Sequence, residues 1–239
     1  MPVALLARRA DRLETLRARI VDAGGRAVAV TGDVSREADT QALVDAALGA
    51  FGRLDVMLAN AGAGFHGTLE ETPVEVARRL MDVNYLGTLL AARASVPVFK
   101  RQGRGHLVIV SSIVGRRGIG GSGAYGATKA AQLGLAESLR VELTGTGVHV
   151  TTVFPVSTET EFHDAIKRDY GHAVSGHGPR QSADTVAAAI ERVLIDPKPE
   201  VYPHRKSRAL AVAAVVAPRF TDRLVEKFTR RQVPVEDRA

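Results

Sequence analysis

Short apolar runs alternate along the chain with longer stretches in which apolar residues recur every three or four positions. This is the pattern of successive strand and helix units wound into a parallel sheet. The runs predict strands at about 2–7, 26–31, 54–59, 106–111, 148–154 and 200–202. A helix from near Asp11 to Ala23 is stopped by Gly24 and Gly25, and a second one starts at Ser35 as its N-cap and ends near Gly52. A long helix follows Pro73, placed where proline opens a first turn, and another carries Tyr125. Between Ser157 and Arg180 the periodicity is lost and Gly171, Gly176 and Gly178 gather, so a mobile loop segment is expected there.

Composition narrows the class only a little. The 239 residues, 45% hydrophobic and 24% charged, suit one α/β domain over 1–239. With no cysteine there is neither a disulfide scaffold nor a thiolate metal site. The first residues lack a basic segment followed by a long apolar stretch, and a cytoplasmic protein is expected. The net charge of +6 suits an anionic cofactor, a nucleic acid or an acidic membrane surface, and the reading adopted has no nucleic-acid partner. The run from Ala209 to Ala217 ends at Pro218, well short of the ~20 residues that span a bilayer. Within the expected C-terminal helical segment, 207–231, Phe220, Leu224 and Phe228 form an apolar stripe among Arg219, Arg223, Lys227, Arg230 and Arg231. Packing on a neighbouring element or subunit is the first reading of this stripe, and contact with an anionic membrane the second.

Candidate chemistry centres on Tyr125 and Lys129, which share one face of a helix at spacing four. A phenol with its ordinary pKa of about 10 is a poor acid-base group near neutrality, and a neighbouring ammonium is expected to lower it. The pair alone reads equally as a half-buried aromatic beside a solvated lysine. His163, His172 and His177 match no helical metal-ligand spacing, so surface histidines and no metal are expected, with substrate contact in a lid as the alternative.

The surrounding motifs change the weighting. Val108-Ile109-Val110-Ser111-Ser112, a Gly-rich loop and Tyr125-x-x-x-Lys129-Ala130-Ala131 resemble the catalytic segment of the short-chain dehydrogenase/reductase family. So do Gly32-Asp33-Val34-Ser35, Asn60-Ala61-Gly62 and Asp82-Val83-Asn84-Tyr85-Leu86-Gly87-Thr88, in the family's order. The resemblance implies a three-layer, Rossmann-like doubly wound parallel sheet and an oxidoreductase interconverting an alcohol and a carbonyl with a nicotinamide cofactor. It makes Tyr125 the acid-base group, Ser112 rather than Ser111 the holder of the substrate oxygen, Lys129 a partner of Tyr125 and of the cofactor ribose, and Asn84 the residue holding a water beside Lys129.

Cofactor contacts follow by the same likeness. They comprise Arg8, Arg9, Asp33, Val34, Asn60, Ala61, Gly62, Pro155 and Thr160, together with Tyr125 and Lys129. Arg8 stands where relatives preferring NAD carry an acid, and two adjacent guanidiniums suit a 2′-phosphate, so NADP is expected over NAD. Val156 stands where relatives carry glycine, which implies a reshaped wall beside the substrate. The chain starts at what resembles the second strand of the family, so the first, central strand and its Gly-rich turn are expected to be missing, and NADPH binding is expected to be weak. A small-molecule alcohol or carbonyl is the expected substrate. The face of the Tyr125 helix formed by Gln132, Leu135, Leu139 and Leu143 is expected to build a homodimer or homotetramer. The rival reading is a catalytically silent binding protein on the same scaffold.

Overall fold

A computed structural model describes residues 1–171 and 179–230. Strand β1 (Val3–Ala7) leads through α1 (Ala10–Asp22) to β2 (Ala27–Thr31), and α2 (Glu37–Phe51) leads on to β3 (Val56–Ala59). Helix α3 (Val74–Leu80), a π-helical turn (Met81–Leu86) and α4 (Gly87–Gln102) run end to end into β4 (Gly105–Val110). After a 3₁₀ turn at Ile113–Gly115 come α5 (Gly123–Glu142) and β5 (Val148–Val153). The remaining elements are β6 (Ser157–Glu159), α6 (Phe162–Tyr170), β7 (Arg180–Ser182), α7 (Ala183–Ile195), β8 (Glu200–Val201), α8 (Lys206–Val216) and α9 (Pro218–Arg230).

Four strands pair in the order β3-β4-β5-β8, all parallel, and β1 pairs with β2 as a separate parallel ribbon, Val3 opposite Ala27. This is the expected α/β, Rossmann-like arrangement, and its parallel strands are separated in sequence by helices because a parallel connection needs a long crossover. Ile109, Leu107 and Val150 in the middle strands pack against Val44, Ala91, Ala92, Val98, Phe99 and Ala136 from α2, α4 and α5. Every residue of β1 and β3 lines a cleft of about 1390 Å³ between the two sheets. One of them, Leu58, is 44% exposed.

All six predicted strands are present, but several local expectations are corrected. Ser35 does not cap α2; its hydroxyl donates to Asp33 at 2.8 Å, and Arg36 occupies the cap position. Pro73 is itself the N-cap residue of α3, not its first helical residue. The segment 157–180 carries β6, α6 and the first residue of β7, and β6 pairs with β7. Phe162, Ile166 and Tyr170 recur there every four residues, a helical stripe overlooked beside the glycines. His172, Gly176, His177 and Gly178 lie outside the described residues, as does Arg231. On α5, Gln132 is buried against Asn84 and Thr88, Leu143 belongs to the core and Leu139 packs on it. Leu135 is half-buried, so most but not all of that face is used within the chain.

Candidate active site

The site forms where β4 ends and α5 begins. Ser111 continues the sheet ladder, its amide donating to Val153 O at 2.9 Å, and its hydroxyl donates to Lys129 O at 2.8 Å. That bond commits Ser111 to holding α5. Ser112 turns the other way at the head of the 3₁₀ turn, its hydroxyl accepting from Val114 N at 3.4 Å and standing beside the Tyr125 phenol. Of the two adjacent serines, Ser111 is tied to the α5 backbone, which leaves the Ser112 hydroxyl as the one that bears on Tyr125. Gly115 lets this turn lie against α5, because a Cβ there would stand 2.7 Å from the Lys129 backbone.

Tyr125 and Lys129 are one turn apart, with Nζ 5.8 Å from the phenol ring centroid. The ammonium is buried and donates to Val110 O at 2.9 Å. Burial pushes Lys129 down to about 7 and Tyr125 up to about 12, the second shift opposed by the hydrogen bond from Ser112. The expected lowering of the phenol by its lysine is therefore overturned. A cation lowers a neighbour's pKa only while it is charged, and desolvation here disfavours charge on both groups.

Asn84 lies in the π-helical turn, not in a regular helix, and is completely buried. Its amide makes three hydrogen bonds: Oδ1 accepts from Ala63 N at 2.8 Å, while Nδ2 donates to Ala63 O at 2.9 Å and Thr128 Oγ1 at 2.8 Å. The Asn84 carbonyl accepts from Gln132 Nε2 at 2.8 Å and Thr88 Oγ1 at 2.7 Å. Thr128, which the sequence reading did not single out, and Gln132, which it placed on the assembly face, thus lock Asn84 to α5. Their signal was their place beside Lys129 and one turn beyond it. A π-turn recurs at functional sites because it redirects a side chain without ending the helix.

The remaining predicted residues divide into two groups. Arg8, Arg9, Asp33, Val34, Asn60, Ala61 and Gly62 all line the cleft between β1 and β3. Pro155 and Thr160 stand outside that lining: Pro155 O accepts from Ile113 N at 2.9 Å, and Thr160 Oγ1 accepts from Phe162 N at 3.3 Å. Arg8 lies 4.0 Å from Asp33, whose carboxyl is held low first by the Ser35 amide hydrogen bond. Val156 is buried.

Phe162 was missed by the sequence reading and stands between these groups. It lines the cleft, and its ring lies 5.8 Å from the Tyr125 ring. Only glycine fits opposite it, since a Cβ on Gly64 would be 2.4 Å from the Phe162 ring. Glu161 ties this end of α6 to α1, accepting from Arg12 at 2.5 and 2.7 Å, with Arg9 at 3.8 Å. His163 is half-buried and not a surface residue; its Nε2 lies 3.2 Å from Ser157 Oγ. Among the described residues no three His, Cys, Asp or Glu side chains come together as a metal site.

Residues 1–171 match the short chain dehydrogenase family. The chain belongs to that family of oxidoreductases. Among similar proteins is the uncharacterized oxidoreductase YxnA of Bacillus subtilis, 31% identical over 95% of this chain and 65% of that protein. A 3-alpha-(or 20-beta)-hydroxysteroid dehydrogenase of Mycobacterium tuberculosis is 37% identical over 63% of this chain and 61% of its own length. The chain therefore spans under two thirds of the length of these relatives. Among solved structures, a short chain dehydrogenase/reductase from Burkholderia phymatum in complex with NAD superposes with a TM-score of 0.83 at 25% identity, covering 92% of this chain and 86% of that one. An alcohol dehydrogenase from Thermococcus sibiricus complexed with 5-hydroxy-NADP gives 0.70 at 28% identity, with 83% of each chain covered.

Proposed function

We propose that the protein interconverts an alcohol and a ketone or aldehyde, with Tyr125 exchanging a proton with the substrate oxygen and with NADP preferred to NAD. The observation that carries this reading is the cluster of Ser112, Tyr125 and Lys129 at the junction of β4 and α5. A substrate oxygen received between the Ser112 and Tyr125 hydroxyls is held within reach of the phenolic proton. With its pKa pushed up to about 12, Tyr125 keeps that proton and is poised as a general acid for reduction. For oxidation the phenol must give up its proton. Recharging Lys129, by water or ligand hydroxyls meeting the ammonium hydrogens not directed at Val110, lowers the cost of that step. Asn84 is the proposed holder of a water on this route.

The residues lining the cleft fit a dinucleotide. Two guanidiniums, Arg8 and Arg9, face its rim and suit a phosphate monoester, while Asn60, Ala61 and Gly62 offer small side chains and backbone at a strand end. Asp33 and Val34 complete an adenine-sized wall, and Pro155 and Thr160 belong to the nicotinamide side. When bound, the cofactor supplies the hydride acceptor or donor. Phe162 fills the space between cleft and phenol, so α6 has to swing aside to join them. We also read the cleft as the seat of the expected central strand and Gly-rich turn, a reading supported by two strands whose outer edges face it. Cofactor affinity then depends on that seat being filled. A homodimer or homotetramer remains the proposed assembly on the grounds of family membership, with light scattering as its check.

The deciding experiment follows NADPH oxidation against a panel of ketones and aldehydes. Tyr125→Phe is expected to lower turnover by about 10²–10⁴-fold with cofactor affinity unchanged. Undiminished turnover in this variant overturns the assigned chemistry. Absence of any binding of NADPH and NADH when the cleft is filled favours the silent scaffold.

A further inference from the structure

We infer that the outer face of α8, with the start of α9, is a docking surface for an anionic lipid bilayer. The inference is independent of the chemistry proposed above. From Ala209 to Val216 helix α8 is apolar all round, and only one side is used by the fold: Ser207 and Ala211 are buried, with Leu210 and Ala214 half-buried beside them. On the opposite side Val212, Val215 and Val216 are 56%, 77% and 78% exposed, and Phe220 continues the patch into α9 at 64%. Arg205, Arg208, Ala209, Val212, Ala213, Val216 and Ala217 line one shallow groove along this side. Cationic heads and bare apolar side chains therefore share a single helical face.

The charge distribution identifies the occupant. Residues 205–231 hold eight of the 32 Lys and Arg but two of the 26 Asp and Glu, which accounts for the whole net charge of +6. Helix α8 carries no acidic residue, and the Asp222 carboxylate of α9 is paired with Arg117 on the loop after Ser112. A second copy applied through this face would set arginine against arginine. A nucleic acid would meet the cations but leave the valines and Phe220 in contact with phosphate and water. A bilayer containing anionic lipid satisfies both, since headgroup phosphates meet Arg205, Arg208, Arg219 and Arg223 while the valines and Phe220 enter the acyl boundary. Among the described residues no helix is long and apolar enough to cross a membrane, so the contact is at the surface.

The test is cosedimentation of the whole chain with vesicles of phosphatidylcholine alone or with about 30% phosphatidylglycerol. Partition onto the anionic vesicles should be at least about tenfold stronger and should fall as salt is raised. The pairs Val212→Asp with Val216→Asp, and Arg205→Glu with Arg208→Glu, should each reduce it by about tenfold or more. All four side chains are exposed, so circular dichroism and thermal midpoint should stay unchanged. No partition, equal partition onto neutral vesicles, or variants that bind like the parent overturn the proposal. So does a fall in mass by light scattering in the valine pair without vesicle binding by the parent, which would make the face a subunit interface. Oligonucleotide binding that survives the valine pair, again without vesicle binding by the parent, would mark a nucleic-acid surface and equally overturn it.

Discussion

Strands β1 and β4 are both short apolar runs, yet the protein treats them differently. From His106 to Val110 the residues of β4 are buried, because β3 and β5 flank the strand and α4 and α5 cover it. The residues of β1 are only half-buried or exposed, with β2 on one edge and the cleft on the other. Composition does not make a strand a core strand; partners on both edges and both faces do. The comparison also explains how the site is organised. The residues expected to do chemistry stand on the packed side, and most of those expected to hold a dinucleotide, Pro155 and Thr160 apart, line the open one.

The largest expected effect sharpens this contrast. Ile109→Ala should cost about 2–5 kcal/mol in urea unfolding, whereas Leu5→Ala should cost about 1 kcal/mol, because a half-buried side chain loses less burial and leaves no closed cavity. Equal losses would show that the cleft is closed in solution. Next in size is an acid effect confined to the packed sheet. His106, beside Thr151 at 2.7 Å, is pushed down to about 4, first by burial and then by His149. The unfolded chain takes up that proton near pH 6.5 and the folded one only near 4. Stability should therefore fall as pH drops through this window, by at most about 3 kcal/mol, and level off below it. A pH series of unfolding midpoints checks this, and His106→Leu should flatten it.

Lys129 gives a similar effect at the alkaline end. Its folded pKa is lowered to about 7, so between pH 7 and about 10 the unfolded chain holds the extra proton and stability should rise with pH. Above about 10 the raised Tyr125 works in the opposite sense, because the unfolded phenol ionises first. Lys129→Met should remove the rise; its absence from the parent chain would mean that the ammonium is hydrated, and its persistence in the variant that another group is responsible. The smallest stability effect belongs to the cleft rim. Arg8→Ala should change stability by under about 1 kcal/mol, its pairing with Asp33 being exposed and 4.0 Å long. It should nevertheless weaken NADPH more than NADH in a binding titration, and equal weakening would give Arg8 another role.

The six main strands and the principal helices were legible because hydrophobic period is a local property of the chain. The Ser112, Tyr125 and Lys129 constellation was legible for a similar reason: a strand end and a one-turn helical spacing can be read without knowing what packs around them. Helix α6 was hidden by the glycines that follow it, although its Phe162, Ile166 and Tyr170 stripe was there to be counted. Other features were decided by tertiary structure alone. Ser111 was separated from Ser112 by which of them meets the backbone of α5. The pKa of Tyr125 is shifted against the expected sense because it depends on exclusion of water by residues far away in sequence. The split of the strands into two sheets around a cleft was likewise outside the reach of any pattern, since the strand order records which edges meet in space.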